Sequence, residues 1–285
     1  MGLSYRAAIG ELIYALVTCR PDISYATIKL SQYSINPSAC HYIAVKNIFR
    51  YLLTTKDQGL TYWRPQLNYL LPDLPLPIPI TPQHNWNVNL DSSIHISPLY
   101  GFSDSDWAGD RSHCRSVSGI AFILSGAVVL YKTRFQSTIA MSSTEAEFIA
   151  SADAGKMALY LRSLLSDLGI DQNHATLLYG DNMGAYLIES AGQPTIRTHH
   201  MEIKEFAILS WVERDLLNIQ HIKTTLNVSD VLTKSTARII FHRHNDIVMG
   251  KINPHYLHKI TSCFCFPVTT PLQLYTSNTQ QQQLL

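Results

Sequence analysis

Seven of the chain's 13 prolines fall between residues 65 and 98. Proline fixes φ and removes an amide donor. The run Leu74-Pro75-Leu76-Pro77-Ile78-Pro79-Ile80 therefore suits neither a helix interior nor a central strand. It should be extended and polyproline-like. Residues 65–98 are read as a plain linker in preference to an SH3-type ligand. A chain of 285 residues then divides into folded parts on either side of it.

Residues 1–64 read as a small helical module. Ala7, Ala8, Glu11, Leu12 and Ala15 have helical spacing, and Arg20-Pro21 ends that segment. Residues 22–33 form a second short helix. After the Asn36-Pro37 turn, Ser38 is placed to cap a third helix with an apolar face of Tyr42, Val45, Ile48, Phe49 and Leu52. Residues 99–238 read as a mixed α/β domain. Strands are expected at 99–106, 117–124 and 128–133, the last two joined as a hairpin at Ser125-Gly126. A long helix over 143–168 is stopped by Gly169. A strand at 175–179, a short helix to about Ser190, a helix over 198–214, a strand at 216–222 and a short helix near Val228 follow. Residues 239–285 show no clear period and are expected to be poorly ordered.

Composition narrows the function classes. The chain is 46% apolar and 15% charged, enough to bury a core and unlike a disordered chain. Lys+Arg 22 against Asp+Glu 21 leaves a net charge of +1, so any nucleic-acid binding must come from a local patch. The longest mostly apolar stretch, 119–131, is too short to span a bilayer, and no membrane association is expected. The first residues lack a signal-peptide core and a myristoylation pattern. Five scattered cysteines read as reduced thiols, which points to the cytoplasm or nucleus. His199-His200 and His242/His244 are pairs without a third ligand.

Four acidic positions stand out, and each has a structural explanation when taken singly. Asp104 lies inside a predicted strand, where Asp is unfavourable and, on a core-side face, needs a compensating partner such as a cation. Glu145 and Glu147 open the long helix. Ser142-x-x-Glu145 fits a capping box, with Glu145 folding back onto the N-cap amide, whereas Glu147 has no such task. The macrodipole favours acids at both positions. Asp181 follows a strand's carboxyl end, where α/β sheets place ligands, though an N-cap role is the plainer reading. Asp230 fits the first turn of a short helix.

Five motifs occur in order: Gly101-Phe-Ser-Asp-Ser-Asp-Trp-Ala-Gly-Asp110, Ser116-Val-Ser-Gly119, Gln136-Ser-Thr-Ile-Ala-Met-Ser-Ser-Thr-Glu-Ala-Glu-Phe-Ile-Ala150, Gly180-Asp-Asn182 and Ser229-Asp-Val-Leu-Thr-Lys234. Together they resemble the RNase H domain of copia-type retrotransposon Pol polyproteins over residues 100–236. Residues 4–64 are similar to the stretch between polymerase and RNase H in that polyprotein. The resemblance is carried there by Ser4-Tyr-Arg-Ala-Ala-Ile-Gly-Glu-Leu-Ile-Tyr14, Arg20-Pro-Asp-Ile23, Leu30-Ser-Gln32 and Tyr51-Leu-Leu-Thr-Thr-Lys-Asp-Gln-Gly-Leu-Thr-Tyr62. A polymerase Tyr-x-Asp-Asp sequence is absent. The chain looks like the C-terminal end of such a polyprotein, starting at an internal Met.

The resemblance implies an RNase H-like mixed five-stranded sheet with flanking helices, preceded by the helical module. It implies that Asp104, Glu147, Asp181 and Asp230 are the catalytic, metal-binding carboxylates. Glu147 is preferred over Glu145 because family helices carry the acid one residue before a large apolar residue and three before Ala. The implied cofactor is a pair of Mg²⁺ ions, with Mn²⁺ able to substitute. Paired ions roughly 4 Å apart would clamp the scissile phosphate and cleave the RNA strand of an RNA–DNA hybrid, with the 2′-OH marking RNA. Ser103, Arg111, Arg115, Lys132, Arg134 and Asn182 are candidate nucleic-acid contacts. The polymerase half is an expected partner, and a virus-like particle the setting if the element is active. The competing reading is a catalytically silent transposon remnant or nucleic-acid-binding module. A transposase or integrase nuclease would need a late Glu, whereas here the Glu comes second.

Overall fold

A computed structural model describes residues 4–62, 99–110, 114–182 and 202–251. The proline-rich run, Arg111, the helix expected near Ser190, His199-His200, and the residues after Lys251 lie outside the described residues.

Three helices open the chain: α1 (Tyr5–Thr18), α2 (Ser24–Ser31) and α3 (Ala39–Thr54). Ser38 caps α3 as expected, in a reciprocal arrangement with His41, whose Nδ1 accepts from the Ser38 amide at 3.1 Å. The second predicted helix starts later than its sequence pattern allows. Residues Pro21–Ile23 form a 3₁₀ turn instead, because the buried Asp22 carboxylate is taken by Arg20 at 2.7 and 2.9 Å and by the Tyr51 hydroxyl at 2.8 Å. Tyr5, Ile9, Leu12, Leu16, Ile23, Val45 and Ile48 close a small core between the helices.

The α/β part is one five-stranded mixed sheet with the spatial order β3-β2-β1-β4-β5. β1 (Tyr100–Asp110), β2 (Arg115–Leu124) and β3 (Ala127–Phe135) form an antiparallel meander. Ser125 and Gly126 both take positive φ, 52° and 88°, as a two-residue hairpin turn requires. The chain then crosses the sheet through α4 (Ser143–Asp167) and returns as β4 (Thr176–Gly180), parallel to β1. α5 (Glu202–Glu213) leads to β5 (Leu217–His221), parallel to β4. A 3₁₀ turn (Thr224–Leu226) and two helices follow, α6 (Asp230–Thr233) and α7 (Arg238–Val248).

Strand alternation separates two cores. Ile120, Phe122, Leu178 and Leu217 face α4 and α5, packing on Ala154, Ala158, Leu161 and Leu165. Phe102, Ala121, Ile123 and Tyr179 face the other way, onto Val231, Leu232, Ile247 and Val248. β2 is apolar at successive positions because both of its faces are covered.

The absence of a clear period after residue 236 is misleading as far as Met249. α7 is a regular helix, and Ile247, Val248 and Met249 are buried. Its buried side also carries His244 and Asn245, so the apolar stripe is interrupted by polar residues. His244 Nε2 lies 3.1 Å from the Thr225 carbonyl. The helical module docks against this region and β3. Thr61 N–H donates to Met249 O at 2.9 Å, Tyr62 Oη to Val128 O at 2.9 Å, and Tyr131 Oη to Leu16 O. Lys29 and Gln32 of the module reach Gly109 O and Asp110 Oδ2 at the end of β1, at 3.0 and 3.2 Å.

Candidate metal centre

The β1–β4 pairing builds the site. Their parallel register ends at Phe102 opposite Tyr179. Two residues further along each strand lie Asp104 and Asp181, level with one another at the point where β4 stops. Beyond Phe102, β1 has no strand partner on that side, so its backbone groups need other partners. Glu147 of α4 meets one of them: Ser105 N–H donates to Glu147 Oε1 at 3.1 Å. Asn227 meets another, donating from Nδ2 to Ser103 O at 2.9 Å and to Asp181 Oδ1 at 3.3 Å. The early end of the β1–β4 pairing thus fixes which carboxylates converge.

Asp104, Glu147 and Asp181 each offer an oxygen within 4.8 Å of the others. Asp104 is 1% exposed and Glu147 8%. Burial, reinforced by the neighbouring acids, raises Asp104 from 3.8 to about 7. Burial, Asp104 and Asp181 raise Glu147 from 4.5 to about 10. Hard oxygen donors this close, two of the three buried, fit a divalent cation.

Asp230 is 5% exposed and sits beside the triad, outside the group of three. It is joined to Asp104 through Lys234, whose Nζ is 2.8 Å from Asp230 Oδ1 and 3.5 Å from Asp104 Oδ2. Burial raises the Asp230 carboxyl, and the Lys234 ammonium opposes that rise. Burial works against the charged Lys234, but the Asp104 and Asp230 carboxylates hold its ammonium above the ordinary lysine range. The Thr233 hydroxyl donates to Asp104 Oδ2. The sequence reading missed the roles of Thr233, Lys234 and Asn227. Each binds across the fold to an acid more than 40 positions away, which no local pattern signals.

Glu145 takes the cap it was expected to take, with one difference. Ser142 Oγ accepts from the Glu145 amide at 3.1 Å, but the Glu145 carboxylate accepts from Met141 N at 2.7 Å, one residue before the N-cap. Glu145 therefore serves the helix end and is not among the three converging acids.

The candidate nucleic-acid contacts separate. Ser103 is buried against α4, its hydroxyl 3.3 Å from that of Ser151. Its carbonyl is the group that Asn227 uses. Lys132 on β3 is paired with Asp153 at 3.2 Å. Arg115 and Arg134 are exposed, at the start of β2 and near the end of β3. Arg134 stands two strand spacings, roughly 10 Å, from β1. Asn182 follows Asp181 and is half-buried.

A carboxylate cluster at the carboxyl end of β4, on a mixed sheet of order β3-β2-β1-β4-β5, defines an α/β domain with a candidate metal centre. No family profile matches the chain. Sequence relatives place it nonetheless. It is 30% identical over 244 residues to the retrovirus-related Pol polyprotein from transposon TNT 1-94 of Nicotiana tabacum, covering 86% of this chain and 16% of that one. It is 30% identical over 237 residues to the corresponding polyprotein from transposon RE2 of Arabidopsis thaliana, covering 83% and 14%. A secreted RxLR effector protein, number 161 of Plasmopara viticola, is 33% identical over 157 residues, 55% of this chain and 90% of that one. Among solved structures, LC11-RNase H1 from compost aligns with a TM-score of 0.38 and 15% identity, over 48% of this chain and 92% of that one. The chain's homologues are retrovirus-related Pol polyproteins of copia-type transposons. It spans about one sixth of the length of the polyproteins that it matches first.

Proposed function

We propose that this segment is a metal-dependent ribonuclease that hydrolyses the RNA strand of an RNA–DNA hybrid. The observation that carries the reading is the convergence of Asp104, Glu147 and Asp181 within 4.8 Å at the carboxyl end of β4. Similarity to the Pol polyproteins supports it, since it extends over more than four fifths of this chain.

Asp104, Glu147 and Asp181 would hold a divalent cation, with Asp230 contributing from beside them. A bound Mg²⁺, or Mn²⁺ in its place, supplies a nucleophilic water at neutral pH and charge stabilisation at the scissile phosphate. The protein's own residues prepare the site. Ser105 N–H fixes Glu147, the Thr233 hydroxyl fixes Asp104, and the Asn227 amide ties Asp181 to the β1 backbone. Arg115, Arg134 and Asn182 are the candidate backbone contacts, since phosphate binding needs only local positive charge and hydrogen-bond donors. The polymerase half of the polyprotein is the proposed partner. A cytoplasmic or nuclear setting belongs to the same proposal and is supported by free, exposed thiols at Cys19, Cys40 and Cys114. Among the described residues, no helix is long and apolar enough to cross a membrane.

The test is cleavage of a labelled RNA–DNA hybrid in Mg²⁺ or Mn²⁺, with the native chain beside Asp104→Asn, Glu147→Gln and Glu145→Gln. The expected result is metal-dependent cutting of the RNA strand alone, lost in the first two variants and kept in the third. A folded native chain that cuts nothing would favour the silent, nucleic-acid-binding remnant.

A further inference from the structure

We propose that Lys234 is a tethered cation that occupies the place between Asp104 and Asp230 and competes there with a second divalent ion. This rests on the metal-centre reading above. The ion pairs among the described residues divide the four acids unequally. One ammonium serves Asp104 and Asp230, at 3.5 and 2.8 Å, while none reaches Glu147 or Asp181. Asp104 is shared: it belongs to the triad and also pairs with Lys234 through Oδ2. An incoming ion meets uncompensated carboxylates only on the triad side. On the other side it must enter against a positive charge already within ion-pair distance of both ligands.

The placement of Lys234 follows from the fold. It comes directly after α6, and its amide donates to Asp230 O at 3.1 Å, so the side chain starts beside the acid it pairs with. Its side chain is 33% exposed, against 2% and 7% for those of its partners Asp104 and Asp230. A long aliphatic stem with a partly wet head can swing outward, whereas the buried carboxylates cannot follow. Lys234 is thus a positioning residue. It neutralises the Asp104–Asp230 pair before the second ion binds, and must withdraw for that ion to bind.

Mn²⁺ titration of the full chain, followed by the electron paramagnetic resonance of the free ion, tests this without reference to catalysis. The native chain should show one tight class of site and one weaker. Lys234→Met should tighten the weaker class relative to the first on the order of tenfold, by removing a like charge at contact distance. Lys234→Arg, which keeps the charge, should leave the two classes as they were. Asp230→Asn added to Lys234→Met should abolish the second class. Two classes whose affinity ratio does not change in Lys234→Met would overturn the proposal and leave the metal centre standing. No Mn²⁺ binding to either protein would overturn both.

Discussion

Gly119 lies directly across the β1–β2 ladder from Asp104, and a Cβ at Gly119 would come within 2.5 Å of the Thr233 methyl. The same Cβ would stand 3.0 Å from Leu232 Cβ and from Ser229 O. The missing side chain lets α6 rest directly on β2. That contact delivers Asp230, Thr233 and Lys234 to Asp104.

Gly119→Ala should therefore act on the site through packing. Backbone and a packed methyl group leave little room to yield, so overpacking should cost about 1–3 kcal/mol. A urea midpoint lowered accordingly, with a loss of Mn²⁺ affinity beyond that of a surface Gly→Ala change, is the expected outcome. An unchanged midpoint would mean that α6 can retreat from β2 at no cost.

Without metal, the centre should make the protein less stable as pH rises. Asp104 moves from 3.8 to about 7 on folding, and Glu147 from 4.5 to about 10. Between each pair of values the folded chain holds more protons than the unfolded chain, so stability falls with increasing pH. The loss begins near pH 4, continues to about 7 for Asp104 and extends to about 10 for Glu147. Mg²⁺ favours the ionised carboxylates and should oppose the slope. Urea midpoints at about pH 5, 7 and 9 in EDTA and in Mg²⁺ check both signs. A rise in stability with pH in EDTA would contradict the account.

Asn227 should matter more than a buried amide usually does. It is fully buried and joins Ser103 O, Asp181 Oδ1 and the Ser229 hydroxyl. Asn227→Leu should cost about 1–3 kcal/mol through the backbone carbonyl left unpaired. It should also weaken divalent-ion binding by roughly 10- to 100-fold, because Asp181 loses the group that orients it. Calorimetric Mg²⁺ titration separates the two effects. Lost stability with full metal affinity would reduce Asn227 to a packing residue.

The helical module depends on a buried ion pair. The Arg20 and Asp22 side chains are 7% and 0% exposed and joined at 2.7 Å. Arg20 also donates to Thr55, through Nη2 to its Oγ1 at 2.6 Å and through Nη1 to its carbonyl at 3.2 Å. Arg20→Met leaves Asp22 buried with only Tyr51 to answer it and should cost about 3–5 kcal/mol. Adding Asp22→Leu should recover part of the loss. Hydrogen exchange should show the damage concentrated in α1, α2 and α3, and a uniform loss across the sheet would place the pair's role elsewhere.

Local chemistry wrote most of the elements plainly. The Ser125-Gly126 turn, the Ser142 cap, the Gly169 stop and the apolar run of β2 each depend on residues within one turn or one hairpin of each other. A one-dimensional pattern can hold such relations. The same holds for the cap that engages Glu145, which lies within the five residues Met141 to Glu145. Polar residues on a buried face hid α7, because periodicity records hydrophobicity and not burial. What the tertiary structure alone decided was the partnership among the acids. The early end of β4 leaves β1 backbone groups for Glu147 and Asn227, and the vacancy at Gly119 brings Lys234 between Asp104 and Asp230. These contacts join segments about 40 to 130 positions apart. Charge and desolvation act through space, so only the folded chain determines which buried carboxylate finds a cation and which is left to bind one.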